Sequence, residues 1–281
     1  MPSWSWSRRG QRVLEFFPDT RLKEQLTKTT REVHSLPAGL ILAGGLGTRL
    51  RSAYAVGPKS LAPVGGKPFL DYLLTSLASS GMRDVILCVG YKAEQIKEYA
   101  RSGEEWGLHV SYSVEEKLLG TGGALKKADE LTSSREVFAI NGDTYLEVDL
   151  AAMLAFHRER RALVTIAAVR VRDAERYGTV EVDEGGQLVA FREKSGPGRA
   201  ASGPLTQLIN GGVYVLNREC LARIPSDCEV SLEKEVLPDL IATGGIFGFV
   251  TDGYFLDIGV ENDYNRAQTE LTERFSNSYS D

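Results

Sequence analysis

Leu40-Ile41-Leu42-Ala43-Gly44-Gly45-Leu46-Gly47-Thr48-Arg49-Leu50 decides how the chain is read. The apolar run Leu40 to Ala43 ends in a glycine turn, the pattern of a buried strand that delivers an exposed loop. Glycines in such a loop let backbone N–H groups approach an anion with no Cβ in the way. Just downstream, Gly57-Pro58-Lys59-Ser60-Leu61 brings a second cation to the same neighbourhood as Arg49. Backbone donors, an arginine and a lysine suit a polyphosphate.

Two common phosphate loops do not fit. Gly65-Gly66-Lys67 is followed by Pro68, and Leu61 stands where a Walker loop needs its first glycine. A dinucleotide fingerprint starting at Gly45 would need a third glycine where Leu50 stands.

Outward from the stretch, strand and helix patterns alternate as in a parallel sheet. Pro68 to Ser80 reads as a helix, Asp84 to Gly90 as a buried strand, Ala93 to Ala100 as a helix and Leu108 to Val114 as a strand. A helix opens at Gly120-Thr121-Gly122-Gly123 and runs to about Leu131; a strand at Val137 to Ile140 ends in Asn141-Gly142-Asp143, and Leu150 to Arg160 is helical. Beyond it the texture turns β-rich, with strands at 163–171, 177–182, 188–194, 209–216, 247–250 and 254–257. Ser231 is a candidate cap of a helix running toward Ala242 despite Pro238, and Glu261 to Phe275 closes the chain as a helix. The expected fold is α/β, a doubly wound mixed and mainly parallel sheet with a β-rich second lobe. The lobes divide at about 38–162 and 163–260.

Residues 1–37 differ in kind. They carry a net charge of +3 in a chain of −5 overall, and a mostly polar helical pattern from Arg12 to Val33 is broken at Pro18. They read as an N-terminal extension packed on the body or on a partner, with membrane contact through Trp4, Trp6, Phe16 and Phe17 as the lesser reading.

Bulk composition sets further bounds. A net charge of −5 argues against nucleic-acid binding by general electrostatics. No apolar run reaches the ~20 residues of a membrane span, and no signal peptide is visible. Cys88, Cys220 and Cys228 lack metal spacing, so a reducing, cytoplasmic setting is the default. A homo-oligomer is compatible with the sequence.

Gly45-Leu46-Gly47-Thr48-Arg49-Leu50 followed by Pro58-Lys59-Ser60-Leu61-Ala62-Pro63 closely resembles the signature of the sugar-1-phosphate nucleotidyltransferases. The resemblance extends over roughly residues 39–270 through Leu119-Gly120-Thr121-Gly122-Gly123, Asn141-Gly142-Asp143, Tyr177-Gly178, Phe191-Arg192-Glu193-Lys194, Asn210-Gly211-Gly212 and Asp257-Ile258-Gly259. Gly90-Tyr91-Lys92-Ala93-Glu94 and Asp252-Gly253-Tyr254-Phe255 are most similar to D-glycero-α-D-manno-heptose-1-phosphate guanylyltransferases, with mannose-1-phosphate guanylyltransferases next. Uridylyl, thymidylyl and cytidylyl transfer are further alternatives, and a catalytically silent nucleotide-sugar sensor is the reading from another class. Two departures stand out: Ser60 replaces a usual proline, and Ser52-Ala53-Tyr54 replaces Pro-Leu-Thr.

The resemblance implies roles residue by residue. Leu42, Ala43, Gly44, Gly45, Gly47, Thr48, Gly120, Thr121, Asn141 and Gly142 would hold GTP. Arg49, Lys59 and Asp143 would be catalytic, Arg49 on the β- and γ-phosphates and Lys59 between the α-phosphate and the sugar phosphate. Mg²⁺ would sit between Asp143 and Asp257, since hard oxygen ligands suit it. Tyr177, Gly178, Glu193, Lys194, Asn210 and Gly211 would bind the sugar 1-phosphate, a β-bulge being the alternative for the last two. Such a reaction is governed by charge and alignment, and an ionised phosphate nucleophile needs no base. His34, His109 and His157 accordingly lie outside the motifs. Glu115 would read the base, because guanine offers N1–H and the 2-amino group to two carboxylate oxygens. A solvated Glu115-Glu116 pair is the bland alternative.

Overall fold

The computed structural model describes residues 36–45, 47, 50, 53–172, 174, 176–192 and 206–277, together with the backbone of two short strands. The chain divides into two compact units, Met1–Ser35 and Leu36–Asp281.

In the first unit β1 (Trp4–Trp6) pairs antiparallel with β2 (Arg12–Leu14), Ser5 opposite Val13. The helix expected to begin at Arg12 therefore starts as a strand. Trp4 and Trp6 in one strand and Val13 in the other are residue types of high strand propensity. The rest of that pattern lies outside the described residues.

In the second unit the alternation holds. The order is β3 (Gly39–Leu42), β4 (Pro63–Val64), β5 (Lys67–Pro68), α1 (Phe69–Ser79), β6 (Asp84–Val89), α2 (Ala93–Ala100), β7 (His109–Val114) and α3 (Gly120–Ala128). It continues with β8 (Glu136–Asn141), β9 (Thr144–Leu146), α4 (Leu150–Glu159), β10 (Val164–Val171), β11 (Thr179–Val182), β12 (Leu188–Arg192), β13 (Gln207–Asn217) and α5 (Arg218–Ala222). Last come α6 (Leu237–Thr243), β14 (Ile246–Thr251), β15 (Phe255–Asp257) and α7 (Glu261–Asn277).

Nine strands form one mixed sheet, whose main path runs β12-β11-β13-β8-β3-β6-β7. Pairing is parallel from β8 through β3 and β6 to β7, as helical crossovers require. β13 joins β8 antiparallel and thereby fuses the β-rich half onto the same sheet. β10 pairs antiparallel with β13 and parallel with β14.

Both faces of the sheet are covered, which explains the nearly continuous apolar strands. Ile41, Leu87, Phe138 and Val215 face one core with Leu74 of α1 and Met153 of α4. Their neighbours Leu40, Ile86, Val137 and Tyr214 face the other, with Leu125 of α3 and Leu240 of α6. A third cluster, including Leu50, Phe69, Tyr145, Leu256, Ile258 and Leu271, ties α7 to α1 and to the β9–β15 ribbon.

The segment after Ser231 differs from the single helix expected. Ser231 does cap, accepting from the Lys234 N–H at 3.2 Å, but Leu232–Val236 forms a π-turn before α6 begins. Pro238 sits in the first turn of α6, where a missing N–H costs no helical bond.

Candidate active site

The carboxyl ends of β3 and β8, the amino-terminal half of the antiparallel β13, the amino end of α3 and the β9–β15 ribbon surround a cavity of about 560 Å³. Leu42, Ala43, Gly44, Gly45, Gly47, Lys59, Glu115, Gly120, Thr121, Asn141, Gly142, Asp143, Tyr177, Gly178, Asn210 and Asp257 all line it. Thr48, Arg49, Glu193 and Lys194 lie outside the described residues. Gly211 is away from the lining; a Cβ there would meet Val169, the Ala167 carbonyl and Leu146 within β-sheet packing.

At one side stands a cation between two acids. Lys59, in a short 3₁₀ turn (Lys59–Leu61), places Nζ 2.5 Å from Asp143 Oδ2 and 3.6 Å from Asp257 Oδ1. The aspartates meet because β9 and β15 pair antiparallel, with Asp257 opposite Thr144. The Ile258 N–H donates to the Asp143 carbonyl at 3.0 Å, and the Gly259 N–H donates to Asp257 Oδ1 at 2.6 Å. A Cβ at Gly259 would come 2.7 Å from Asp257 Oδ1 and 3.2 Å from Lys59 Nζ, so a side chain there would have to displace the ends of this ion pair. The two carboxylates already converge on one positive charge, which is what a hard divalent cation requires. Among the described residues no group of three His, Cys, Asp or Glu side chains could hold a metal, so such an ion would need further oxygens from its substrates.

Elsewhere in the cavity stands a different acid. Glu115 follows β7 and is half-buried, whereas Glu116 is exposed. Its Oε2 accepts from the Leu119 N–H at 3.1 Å, and Oε1 lies where a Cβ on Gly44 would stand 2.8 Å away. Burial raises its pKa above the ordinary carboxylate value, opposed by the Leu119 N–H and by the charge of Lys127. A partly desolvated carboxylate with acceptor capacity left can take hydrogen bonds from a ligand donor.

The wall near β13 is shaped by a register shift. Opposite Ile166–Ala168 of β10, the run from Asn210 to Tyr214 carries extra residues. Gly212 sits at φ +70°, and its N–H donates to Asn210 Oδ1 at 3.0 Å. The Asn210 amide donates on to the Tyr214 hydroxyl at 2.7 Å. Tyr177 is held by Asp263 of α7, buried to 3% exposure, which takes both terminal nitrogens of Arg176 at 2.8 and 3.2 Å and the Tyr177 hydroxyl at 3.4 Å. Burial, and secondarily the charge of Asp263, pushes the Tyr177 phenol up to about 12, so it remains a neutral donor.

The sequence reading gave no role to Glu233, which also lines the cavity. Its only sequence signal is its place two residues after a capping serine. The two described histidines stay clear, His34 lying outside the described residues: His109 is exposed beside Asp84, and His157 is buried against Thr165. Neither lines the cavity.

A family model described as Nucleotidyl transferase matches residues 38–274. The chain belongs to the nucleotidyl transferase family. Within it, the D-glycero-alpha-D-manno-heptose 1-phosphate guanylyltransferase of Aneurinibacillus thermoaerophilus is 40% identical over 83% of this chain and 97% of its own. The mannose-1-phosphate guanylyltransferase of Mycobacterium tuberculosis is 39% identical over 83% of this chain, which spans only 64% of that enzyme. Among solved structures, HddC from Yersinia pseudotuberculosis complexed with GMP-PN has a TM-score of 0.74 at 35% identity, covering 84% of this chain and 100% of its own. The mixed sheet with helices on both faces is therefore the nucleotidyl transferase fold. No described helix of this nucleotidyl transferase is long and apolar enough to cross a membrane.

Proposed function

We propose that this nucleotidyl transferase joins GTP to a sugar 1-phosphate, releasing pyrophosphate and forming a GDP-sugar, with D-glycero-α-D-manno-heptose 1-phosphate as the sugar. The heptose assignment rests on the likeness to a heptose enzyme along 97% of that enzyme's length. Mannose 1-phosphate is the second reading, carried by the 39% identity to a mannose enzyme. The base assignment rests on one observation: the half-buried Glu115 carboxylate in the cavity wall. Guanine's N1–H and 2-amino group match a carboxylate, whereas uracil and thymine would present a carbonyl oxygen to it.

The first lobe, about 38–162, takes the nucleotide and the second, about 163–260, the sugar. The sugar phosphate oxygen attacks the α-phosphorus, a new P–O bond forms, and the bond to the β-phosphate breaks with its electron pair on pyrophosphate. Lys59 neutralises charge shared by the α-phosphate and the incoming phosphate, a role supported by its place in the cavity lining. Asp143 and Asp257 hold it and are suited to Mg²⁺, which when bound would supply further positive charge to the phosphates. Arg49 and Thr48 act on the triphosphate, Lys194 on the sugar phosphate and Glu193 on a sugar hydroxyl. A cytoplasmic setting supplies both substrates.

The decisive experiment measures pyrophosphate release for five nucleoside triphosphates against heptose, mannose and glucose 1-phosphates. GTP with the heptose phosphate should turn over fastest, and Glu115→Gln should lose GTP preference more than total activity. A wild-type preference for UTP or dTTP overturns the base assignment, and silence with every pair favours a sensor.

A further inference from the structure

Glu233 lies on the π-turn Leu232–Val236, a backbone irregularity that recurs at functional sites, and reaches the cavity where α3 and β13 approach each other. Three hydroxyl groups from three segments donate to it. Thr121 Oγ1 gives its proton to Oε2 at 2.7 Å, Ser231 Oγ donates to the same oxygen at 3.3 Å, and the Tyr214 hydroxyl donates to Oε1 at 3.2 Å.

Each hydroxyl has one proton, so the directions of these bonds are fixed by what else the oxygens accept. The Thr121 oxygen takes the Leu232 N–H at 2.8 Å, which leaves its proton for Glu233. The Tyr214 oxygen takes the Asn210 amide at 2.7 Å, which sends its proton the same way. Asn210 is then set completely, because its carbonyl accepts from Gly212 N–H at 3.0 Å. Its remaining amide proton is available to a ligand. A single carboxylate thus orders one side chain at the amino end of α3 and, through Tyr214, another on β13.

We propose that Glu233 is the positioning residue that fixes both halves of the site at once, Thr121 on the nucleotide side and Asn210 on the sugar side. The inference rests on the functional reading above for which substrate each side meets. Glu233 acts through its neighbours and has no share in the bond-making step. An amide cannot replace it, since one end of a glutamine would turn a donor toward either Tyr214 or Thr121 and force that hydroxyl to reverse.

The test uses the full chain and three substitutions. Glu233→Gln should raise the KM for GTP and for the sugar 1-phosphate about tenfold each, with kcat within about threefold, the signature of lost uniform binding. Tyr214→Phe removes only the hydroxyl toward Asn210 and should raise the sugar KM alone. Thr121→Val cuts the other arm and should raise the GTP KM alone, and Thr121→Ser, which keeps the hydroxyl, should recover most of that loss. Adding Tyr214→Phe to Glu233→Gln should not raise the sugar KM beyond the worse single variant. Unchanged KM values in Glu233→Gln, or a Tyr214→Phe variant that weakens GTP as much as sugar, overturns the proposal. If the wild type turns over no pair, the functional reading fails by itself, and calorimetric titration with GTP still decides here. Tenfold weaker GTP binding by Glu233→Gln supports the nucleotide arm, and equal binding removes it. Thermal melting separates misfolding from mispositioning.

Discussion

Two glycine-rich turns border the cavity, and in the sequence they look alike. In the first, Gly44, Gly45 and Gly47 follow β3; in the second, Gly120, Gly122 and Gly123 open α3. Their reasons differ. A Cβ on Gly45 would meet nothing within 4 Å, and one on Gly47 would first touch Lys59 Cβ at 3.2 Å. Beyond Gly44, where a Cβ would stand 3.2 Å from the Gly90 nitrogen, the first turn keeps open space and leads to the cation. In the second turn a Cβ on Gly120 would stand 2.5 Å from the Val230 carbonyl oxygen, and one on Gly123 would collide with the Cys228 carbonyl. The Gly122 N–H donates to Val230 O at 2.8 Å, and Val230 N–H returns a bond to Leu119 O at 2.8 Å. These glycines admit a neighbouring segment of the same chain, the one that carries Glu233 into the site. Glycine content alone does not distinguish an anion cradle from a backbone crossing.

If the first turn serves charge, the largest effect should come from its cation. Lys59→Ala should lower kcat on the order of 10²–10³-fold, the scale of one lost electrostatic stabiliser. Steady-state pyrophosphate release checks it, and near-normal turnover would take Lys59 out of the chemistry.

If the second turn serves fit, Gly120→Ala should cost about 3 kcal/mol, from a left-handed φ of +67° and a backbone overlap. In a chain of this size that is a melting point lower by roughly 6–12 °C. A variant melting with the wild type would mean that the 228–232 segment yields easily.

Glu115 touches both turns, through Gly44 on one side and the Leu119 N–H on the other, so its titration probes their junction. Its pKa is raised, chiefly by burial. The ionised form, the one proposed to accept from guanine, is present above that raised pKa and is lost as pH falls through it. The ratio of kcat/KM for GTP to that for UTP should therefore shrink on mild acidification, earlier than an exposed glutamate would dictate, and by about tenfold at most. A ratio flat down to the ordinary carboxylate range would remove Glu115 from base reading.

The smallest effect is expected at Gly45. Gly45→Ala should leave stability within about 0.5 kcal/mol, because the added methyl meets open space, and any change should appear in the KM for GTP. A large loss of stability there would erase the distinction between the turns.

Much of the architecture was legible because period and punctuation agree. Asp84–Val89, Ala93–Ala100 and His109–Val114 fall within a residue of the pattern, since both faces of the sheet are buried and glycine or proline marks the ends. Most of the candidate site lines one cavity for a related reason: its motifs end strands at the same edge. What was hidden depends on distant pairing. No local pattern announces that β9 will meet β15, that Arg12–Leu14 will pair as a strand, or that a π-turn will aim Glu233 inward. Gly211 read as a ligand contact because it sits beside Asn210, but a residue in a bulged strand can serve the packing while its neighbour faces the cleft.

The β9–β15 ribbon also has a consequence for the order in which the molecule is assembled. Asp143 and Asp257 become neighbours only through a pairing between segments far apart in sequence, and α7 then folds back to the β4–β5 turn, where the Tyr264 hydroxyl donates to the Pro63 carbonyl at 2.6 Å. Contacts of such long sequence separation form late, after the entropy of closing the intervening loop has been overcome. During synthesis the glycine turn, Lys59 and the parallel strands emerge first and can collapse without their last carboxylate. The acid pair around Lys59 is completed only once β15 has left the ribosome, so a nascent chain carries the glycine-lined half of its cavity well before the cation cluster is whole.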